Sequence, residues 1–301
     1  MEVGEEAGTE APANPLPASP MKRLENLKIR LSSLTGWRRS ALLGGLGIAA
    51  AMALPPVYGL PLLIPAFVGL LWVVETSPGP GRAFSAGWWF GFGHFAAGLA
   101  WISFAFLVDA PKYGWMAPFA VAGMAAGMAL FPAAAALLSY RVFEQRLTAL
   151  GRVFVFGAMW ILMEWTRGWV LTGFPWNLLG TVWVFSDAMV QLAALTGVFG
   201  LSLLAVVVAA MPAVLAEPAT GEPQGRRRWM PVLVSAGVLA LVWAGGEWRL
   251  AGAGNETVPG VRLRLVQPNI PQNQKWKQEL RRGHVLKQLE LSNRPAPSPE
   301  Q

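Results

Sequence analysis

Five long stretches of the chain carry no Asp, Glu, Lys or Arg, and they limit the possible folds more than any other feature. A helix that crosses a bilayer needs about 20 apolar residues, with a range of roughly 17–25, and each stretch is long enough for one. Only 14% of the 301 residues are charged, too few to cover a soluble domain of this size. The pattern predicts a mostly α-helical membrane protein with several crossings. The stretches are residues 40–74, 83–108, 113–140, 188–216 and 229–246.

The longest stretch is too long for one crossing and divides at Pro55-Pro56, because proline breaks a helix. We predict a hairpin of two short helices there, over roughly residues 40–54 and 57–74. A further helix is predicted over roughly residues 152–170, which are apolar up to Met163 and then include Glu164 and Arg167. The prediction is a polytopic bundle of about seven transmembrane helices within residues 38–250.

Lys and Arg concentrate on alternate connections between these helices. Because basic loops face the cytoplasm, the N-terminus is predicted to be cytoplasmic and the part after Glu247 to lie outside. The net charge of +7 follows from this rule, and we expect no nucleic-acid partner because the basic residues are spread over short loops. They are Lys22, Arg23, Lys28, Arg30, Arg38, Arg39, Arg82, Arg141, Arg146, Arg152, Arg226, Arg227 and Arg228.

Both ends of the chain differ in composition from the apolar middle. Residues 1–37 are expected to be acidic, Pro-rich and disordered at first, and then basic and cytoplasmic. Residues 261–266 alternate apolar and basic residues, which is typical of a strand, and residues 277–291 favour an amphipathic helix. One strand and one helix cannot bury a core, so residues 260–301 are predicted to begin a second, water-exposed domain that is incomplete.

Two charges interrupt the helix predicted over residues 152–170. Glu164 and Arg167 lie three residues apart, so they share a helix face and can pair. An unpaired charge near the centre of a bilayer costs about 2.5–3.5 kcal/mol on insertion scales. Two interpretations remain open, namely a polar anchor for a lipid headgroup at the outer boundary and a structural ion pair.

Tryptophans surround the loop that follows this helix. The loop contains Gly173-Phe-Pro-Trp-Asn177, and the predicted topology places it on the outer side. It is interpreted either as an aromatic belt at the membrane interface or as a mouth that guides an acyl chain or headgroup. The cluster consists of Trp165, Trp169, Trp176 and Trp183.

Single residues inside other helices have simpler interpretations. His94 is interpreted as a packed or hydrogen-bonded histidine, with a proton relay or a phosphate ligand as the alternative. The glycine pairs Gly87/Gly91 and Gly123/Gly127 predict close helix contacts. Cysteine is absent and there are only two histidines, so we expect no thiolate or histidine metal site and no cofactor.

Two longer motifs resemble a known family. The segment Glu164-Trp-Thr-Arg-Gly-Trp-Val-Leu-Thr-Gly-Phe-Pro-Trp176 resembles the fifth helix and following loop of bacterial apolipoprotein N-acyltransferases. The segment Val266-Gln-Pro-Asn-Ile-Pro-Gln272, followed by Lys275-Trp276, is similar to the first strand and loop of that family's nitrilase-like domain. The aromatic, Gly-rich residues 88–93 agree with this, and the resemblance covers roughly residues 38–280.

The resemblance implies a multi-pass enzyme of the bacterial inner membrane whose nitrilase-like domain faces the periplasm and completes lipoprotein maturation. The implied partners are a phospholipid acyl donor, the diacylglyceryl-cysteine of an apolipoprotein, and membrane lipids. A cysteine would act as nucleophile, a glutamate as base, and a lysine would stabilise the oxyanion. The residues carried over as substrate- or lipid-binding candidates are Trp276, Gln267, Asn269, Glu164, Arg167, Trp169 and Trp176.

The sequence departs from the family pattern where the chemistry would be. It contains no cysteine and no residue that matches the catalytic glutamate or lysine, so we identify no catalytic residue. We interpret the chain as a member that ends early and expect it to transfer no acyl group alone. The alternatives are a non-catalytic lipid- or lipoprotein-binding membrane module and, with only Glu164, Arg167 and His94 as polar candidates inside the membrane, a transporter.

Overall fold

The computed structural model describes residues 20–217, 225–254, 258–261 and 263–295. The predicted disordered start, residues 1–19, lies outside the described residues, as does the end of the C-terminal tail, residues 296–301. Most of the described chain is helical.

The described residues form thirteen α-helices, several of which are joined by short 3-10 helices. The α-helices are α1 (Pro20–Ser32), α2 (Gly36–Ala51), α3 (Leu63–Glu75), α4 (Pro80–Gly98), α5 (Ser103–Leu107), α6 (Ala110–Tyr113), α7 (Ala117–Met128), α8 (Leu130–Phe143), α9 (Ala149–Arg167), α10 (Asp187–Val190), α11 (Ala193–Ala210), α12 (Gly225–Ala251) and α13 (Arg281–Asn293). The 3-10 helices are Leu60–Leu62, Ala100–Ile102, Gly114–Met116, Leu179–Phe185, Met211–Ala216 and Gln278–Leu280.

Four helical stretches of the described chain are long and apolar enough to cross a membrane, which makes this a membrane protein. A fifth crossing forms if α4 and the helical piece Ala100–Leu107 are counted together across a bend of 47°. The predicted hairpin is present as α2 and α3, but these helices have 16 and 13 residues, fewer than a crossing needs. Length and composition therefore support four or five of the seven predicted crossings. The four stretches are Ala110–Phe143, Ala149–Arg167, Ala193–Ala216 and Arg228–Ala251.

An aromatic cluster lies at the centre of the bundle, where α3, α4 and α9 meet. The Phe67 ring lies 5.6 Å from the Phe90 ring and 5.0 Å from the Trp160 ring. Phe156 packs on Phe67 at 6.2 Å, and all four side chains are buried. Offset and edge-to-face ring pairs of this kind stabilise a core beyond their buried area.

The backbones of α2 and α4 approach each other closely at glycines. A β-carbon on Gly47 would overlap the carbonyl group of Phe90, and one on Gly93 would overlap the backbone of Gly44. Since lipid tails are as apolar as the helices, such close approach is a main source of attraction between membrane helices. The pair α2–α4 therefore forms the most tightly packed part of the bundle.

The two predicted glycine motifs have different outcomes. A β-carbon on Gly87 or Gly91 of α4 would overlap atoms of α8 around Pro132, so the first motif makes the close contact it predicts. Gly123 and Gly127 of α7 have open space beside them. The second prediction is wrong, because α7 presents these glycines to no neighbouring helix among the described residues.

Four charged residues meet at the end of the bundle where α9 begins, and we call them the four-charge cluster. Lys28 of α1 pairs with Glu75 of α3 and, at 2.9 Å, with Glu217, which follows the span Ala193–Ala216. Arg152 of α9 lies 3.0 Å from Glu75 and 2.6 Å from Glu217. The cluster thus links four separate elements, and we call this end of the bundle the cluster end.

Two members of the four-charge cluster lie outside the spans, and their pKa values move apart. Burial opposes the charged form of Glu217, but Lys28 and Arg152 outweigh it and lower the pKa of this carboxyl group. Burial also opposes the charged form of Lys28, yet Glu75 and Glu217 outweigh it and raise the pKa of the ammonium group. Both shifts favour the paired, charged state.

The basic N-terminal segment is ordered where the structure describes it. Helix α1 occupies part of the stretch from which only disorder and basic charge were expected, and Leu24 and Leu31 pack against the core cluster. These two residues are seven apart and lie on one helix face with Lys28. The amphipathic pattern explains why this segment folds onto the bundle.

Near its C-terminus the described chain differs from the predicted strand followed by a helix. Residues 263–266 form no strand, and Leu263 and Leu265 are 89% and 98% exposed. The physical reason is that a strand needs a partner, and no second extended segment pairs with it in the described chain. The predicted helix does form as α13, whose C-terminal end is tied to the extended segment by hydrogen bonds from Arg264 to the carbonyls of Ser292 and Arg294.

Candidate functional site

Two buried charges end helix α9. The helix starts at Thr148, whose side chain accepts a hydrogen bond from the Gly151 N–H at 3.1 Å, a common N-cap. Nineteen residues later it ends at Arg167, one turn after Glu164. Glu164 and Arg167 are only 5% and 2% exposed. Two charged side chains therefore lie inside the bundle, next to the loop that follows.

Arg167 is bonded to that loop, which we call the aromatic loop and define as residues 168–178. Its Nη1 donates to the carbonyl of Phe174 at 2.9 Å and to the carbonyl of Trp176 at 2.5 Å. The guanidinium also lies 5.0 Å from the centre of the Phe95 ring on α4, within the range of a cation–π interaction. Hydrogen bonds to a charged donor are stronger than neutral ones, so Arg167 holds the second half of the loop.

Glu164 is bonded to the chain just beyond the aromatic loop. Its Oε1 accepts hydrogen bonds from the backbone N–H of Leu179 at 3.0 Å and from the indole N–H of Trp160 at 3.2 Å. Both residues of the expected Glu164–Arg167 pair are described, and no ion pair joins them. Of the two interpretations that the sequence left open, a direct ion pair is not seen. Arg167 instead donates to two loop carbonyls, and Glu164 accepts from the Leu179 N–H and the Trp160 indole.

A small cavity lies beside these charges and is lined by His94, Glu164, Arg167 and Asn177, among others. It has room for about one water molecule. His94 is 1% exposed, in agreement with the packed-histidine interpretation. Its Nδ1 and the Oε2 of Glu164 are both buried without a hydrogen-bond partner in the described part of the chain.

A larger cavity of about 490 Å³ opens next to it, at the end of the bundle that carries the aromatic loop. We call this the loop end and the cavity the loop-end cavity. Trp101 and Trp176 face each other across a ring distance of 5.3 Å, and Asn177 lines both cavities. The wall is mostly apolar with a few polar groups, as is typical of small-molecule sites. The other lining residues are Ala51, Met52, Leu54, Pro55, Pro56, Val57, Ala97, Gly98 and Thr181.

The clustered tryptophans separate into exposed and buried ones. Trp165, Trp169 and Trp176 are 50%, 71% and 53% exposed, whereas Trp183 is buried and donates its indole N–H to the Leu201 carbonyl at 3.1 Å. Trp165 and Trp169 pack on each other at 6.2 Å, while Trp176 is the one that lines the loop-end cavity. The four tryptophans therefore lie in three environments. Trp165 and Trp169 form an exposed pair, Trp176 lines the loop-end cavity, and Trp183 is buried in the bundle.

The candidates from the second motif are not brought to the loop-end cavity. Trp276 is 77% exposed, and its ring is contacted by the ammonium of Lys275 at 5.5 Å. Gln267 and Asn269 are also exposed, and Asn269 has a left-handed backbone with φ of 48°. In this structure the two motifs form separate surfaces.

Three residues of the site were not among the candidates predicted from the sequence. The indole N–H of Trp160 donates a hydrogen bond to Glu164, the Trp101 ring faces the Trp176 ring, and Asn177 lines both cavities. Asn177 directly follows the aromatic motif, which was a usable signal, whereas Trp101 lies in a different charge-free stretch. Among the described residues, no group of three or more His, Cys, Asp or Glu could hold a metal ion.

The fold and site define a helical membrane protein with an aromatic cavity beside buried charges. The family model of the apolipoprotein N-acyltransferase N-terminal domain matches residues 46–211, which include α4, α9 and the aromatic loop. The chain belongs to the apolipoprotein N-acyltransferase family.

Curated relatives carry the same family name. The chain is 37% identical to the apolipoprotein N-acyltransferase of Rhodopseudomonas palustris over 267 residues, which is 86% of this chain and 48% of that protein. It is 42% identical to that of Caulobacter vibrioides over 249 residues, covering 81% and 44%. The match to the Rickettsia prowazekii protein is 30% over 256 residues, covering 84% and 49%. The chain therefore spans about half the length of the curated relatives it matches.

Proposed function

We propose that this chain supplies the membrane part of an apolipoprotein N-acyltransferase, which moves an acyl chain from a phospholipid to the N-terminal amine of a diacylglyceryl apolipoprotein. The observation that carries the proposal is the family match over residues 46–211. The matched stretch includes the aromatic loop, the buried charges and most of the loop-end cavity. The relatives that share this stretch are named for that activity.

The proposed reaction has two covalent steps. A base takes the proton of a cysteine thiol, and the thiolate attacks the carbonyl carbon of the phospholipid ester. The C–O bond breaks, a thioester forms, and the departing alkoxide takes that proton and leaves as a lysophospholipid. The amine then attacks the thioester, the C–S bond breaks, an amide forms, and the thiolate regains a proton from the amine. The 301 residues contain no cysteine, so we assign these steps to residues outside them and assign lipid binding to this chain.

The loop-end cavity is proposed to hold the acyl chain. Its wall is mostly apolar, and Trp101 and Trp176 supply flat faces at its mouth. Trp169 on the exposed part of the loop is proposed to contact the same lipid at the membrane interface, where tryptophan is favoured. Trp276, with Gln267 and Asn269, is proposed to form a further wall within the second domain.

The proposed topology follows from charge. Seven crossings are proposed in the bacterial inner membrane. Five are the four long stretches and the bent α4, and the other two are α2 and the stretch Leu60–Glu75, which form the hairpin although each is shorter than a typical crossing. The cluster end carries Arg152 and the basic helix α1, which supports a cytoplasmic position by the positive-inside rule. Residues 38–250 would then form the membrane domain, and residues 260–301 the start of a periplasmic nitrilase-like domain.

A photoreactive lipid tests the binding assignment on the chain itself. The purified chain in nanodiscs would be irradiated with phosphatidylethanolamine that carries a diazirine in its acyl chain, and the labelled peptides mapped by mass spectrometry. We expect labels to concentrate on the peptides that contain Trp101 and Trp176. An even spread over the apolar surface would contradict the assignment.

A domain exchange tests the activity. Residues 46–211 would replace the corresponding stretch of the Caulobacter vibrioides relative in cells that depend on that enzyme, and lipoprotein N-termini would be analysed by mass spectrometry. Triacylated lipoproteins are the expected result, while failure of a stably expressed chimera would contradict the proposal. A chain that captures the lipid but supports no transfer in the chimera would instead favour the non-catalytic binding module.

A further inference from the structure

Both sides of the aromatic loop are fastened by the last turn of α9. Arg167 donates to the carbonyls of Phe174 and Trp176, at 2.9 and 2.5 Å, and the Phe174 N–H returns a bond to the Arg167 carbonyl at 2.9 Å. Glu164 accepts from the Leu179 N–H at 3.0 Å, just after the loop. The loop is therefore closed over its own preceding helix by two side chains.

The tip of the loop has a different environment. Trp169 and Leu171 are 71% and 97% exposed, and Leu171 has a left-handed backbone with φ of 58°, which is uncommon for a branched apolar residue. Only the part that returns to the bundle, from Phe174 to Leu179, is fixed by charged side chains. The fixed part is the one that brings Trp176 and Asn177 into the wall of the loop-end cavity.

The burial of the two charges limits what else they can do. Side chains that are 5% and 2% exposed leave no surface on which a lipid headgroup could rest. Charged groups are costly inside an apolar bundle, so those that remain there have a specific partner. For Arg167 the partners are the carbonyls of Phe174 and Trp176, and Trp176 lines the cavity. For Glu164 they are the Leu179 N–H just beyond the loop and the indole N–H of Trp160.

We propose that Glu164 and Arg167 are positioning residues that set the place of Trp176 in the loop-end cavity and thereby the fit of the lipid acyl chain. The role for the acyl chain rests on the proposed function, whereas the positioning of the loop does not. Neither residue touches the lipid. Arg167 acts through the backbone of the loop, and Glu164 acts through the backbone N–H that directly follows it.

Spin labels test the positioning of the loop directly. The chain contains no cysteine, so labels attach only to the cysteines that are introduced. Pro175→Cys, at an exposed position between the two loop residues whose carbonyls Arg167 binds, would be combined with Ile64→Cys on α3, which is 44% exposed. The distance distribution would be measured by double electron–electron resonance. Arg167→Met removes the donors at similar length, and we expect the distribution to broaden. The control pair Ile64→Cys and Ile48→Cys, with Ile48 on α2 and 45% exposed, should keep its distribution and so excludes general unfolding.

Conservative variants separate positioning from mere loss of charge. Glu164→Gln keeps an oxygen that accepts the Leu179 N–H, so it should keep the narrow loop distribution, whereas Glu164→Leu should broaden it. An unchanged distribution in both Arg167→Met and Glu164→Leu would overturn the proposal. The proposal would also be overturned if the distance distribution of the control pair broadened as much as that of the loop pair.

The photoreactive phosphatidylethanolamine provides the second readout. We expect Arg167→Met to lower labelling of the Trp176 peptide by at least fivefold, and Glu164→Gln to lower it by less than twofold. Equal labelling in Arg167→Met and the parent, with a broadened loop, would overturn the link to acyl-chain fit. Lack of any labelling in the parent would contradict the proposed function, while the label distances still decide the positioning.

Discussion

The two ends of helix α9 use their charges in opposite ways. At the cluster end, Arg152 forms ion pairs with Glu75 and Glu217, side chains that come from other elements. At the loop end, about 22 Å further along the same helix by its rise per residue, Arg167 donates to two backbone carbonyls. At the cluster end, charged side chains of different elements bind one another. At the loop end, a charged side chain binds the backbone of the loop.

This difference separates two tasks. Ion pairs between elements fix the relative placement of whole helices, because each partner moves with its own helix. Bonds from side chains to loop backbone fix the shape of one connection and leave the helices as they are. The cluster end therefore supports the scaffold, and the loop end shapes the loop-end cavity.

The largest expected effect comes from Glu75→Ala at the cluster end. It leaves Lys28 and Arg152 partly buried with only Glu217 as a shared partner, and removal of one member of a buried ionic group is strongly destabilising. We expect a loss of about 2–3 kcal/mol in the free energy of unfolding, measured by tryptophan fluorescence during heating in detergent. The loop label distances in the folded protein should not change, and a change would break the comparison between the two ends.

The matched control is Glu144→Ala. Glu144 pairs with Arg141 at 3.7 Å, and both side chains are more than half exposed. A surface pair of this kind contributes about 0–1 kcal/mol. A loss equal to that of Glu75→Ala would show that the four-charge cluster has no special role.

A smaller effect is expected from Gly98→Ala at the loop end. A β-carbon there would overlap the amide of Asn177, a side-chain group that can shift, so the stability loss should stay near 1 kcal/mol. The displaced amide should enter the loop-end cavity and lower labelling by the photoreactive lipid several-fold. Gly123→Ala, at a glycine with open space beside it, should change neither quantity, and equal behaviour of the two variants would contradict the geometry.

The smallest effect concerns pH. Lys28 and Arg152 lower the pKa of Glu217, so its stabilising contribution is present above the ordinary glutamate pKa and is lost as pH falls through the lowered value. The raised pKa of Lys28 gives a contribution that is present below the ordinary lysine pKa and is lost as pH rises through the raised value. The side chain of Glu217 is 32% exposed, so we expect less than about 1 kcal/mol.

Melting temperatures between pH 3 and 6 check the predicted loss of the Glu217 contribution to stability as pH falls. Glu217→Gln should flatten the decline relative to the parent, although Glu75 faces the same two cations and contributes its own titration. An identical decline in both proteins would show that Glu217 is not linked to folding. The loop label distances should be insensitive to the substitution throughout.

The elements of the fold were predictable where composition alone decides them. Charge-free stretches located the long helices, and Pro55-Pro56 located the division between α2 and α3. The crossing count was less predictable, because the bend after Gly98 and the shortness of α3 depend on packing. The strand predicted over residues 261–266 is absent where the structure describes that segment, since pairing depends on a partner segment.

The site was predictable in its residues but not in its contacts. Spacing of three residues allowed Glu164 and Arg167 to pair with each other, and a headgroup anchor was the other interpretation. Spacing rules apply to neighbours on one helix. They take no account of Leu179, fifteen residues after Glu164, whose N–H donates a hydrogen bond to the Glu164 carboxylate. Trp101 could not be connected with Trp176 for the same reason, because their contact exists only after the 3-10 helix Ala100–Ile102 and the loop have packed.

The closest approach of α2 and α4 has a consequence for how a lipid would enter. Gly47 and Gly93 lie one helical turn before Ala51 and Ala97, which line the loop-end cavity. Backbones that touch without side chains between them have no soft layer on which to slide, so this wall is rigid. The opposite wall, Trp176, is carried by a loop whose fastening is two side chains. A change in the shape of the cavity would therefore come from loosening of the loop, whereas the wall formed by α2 and α4 would keep its place.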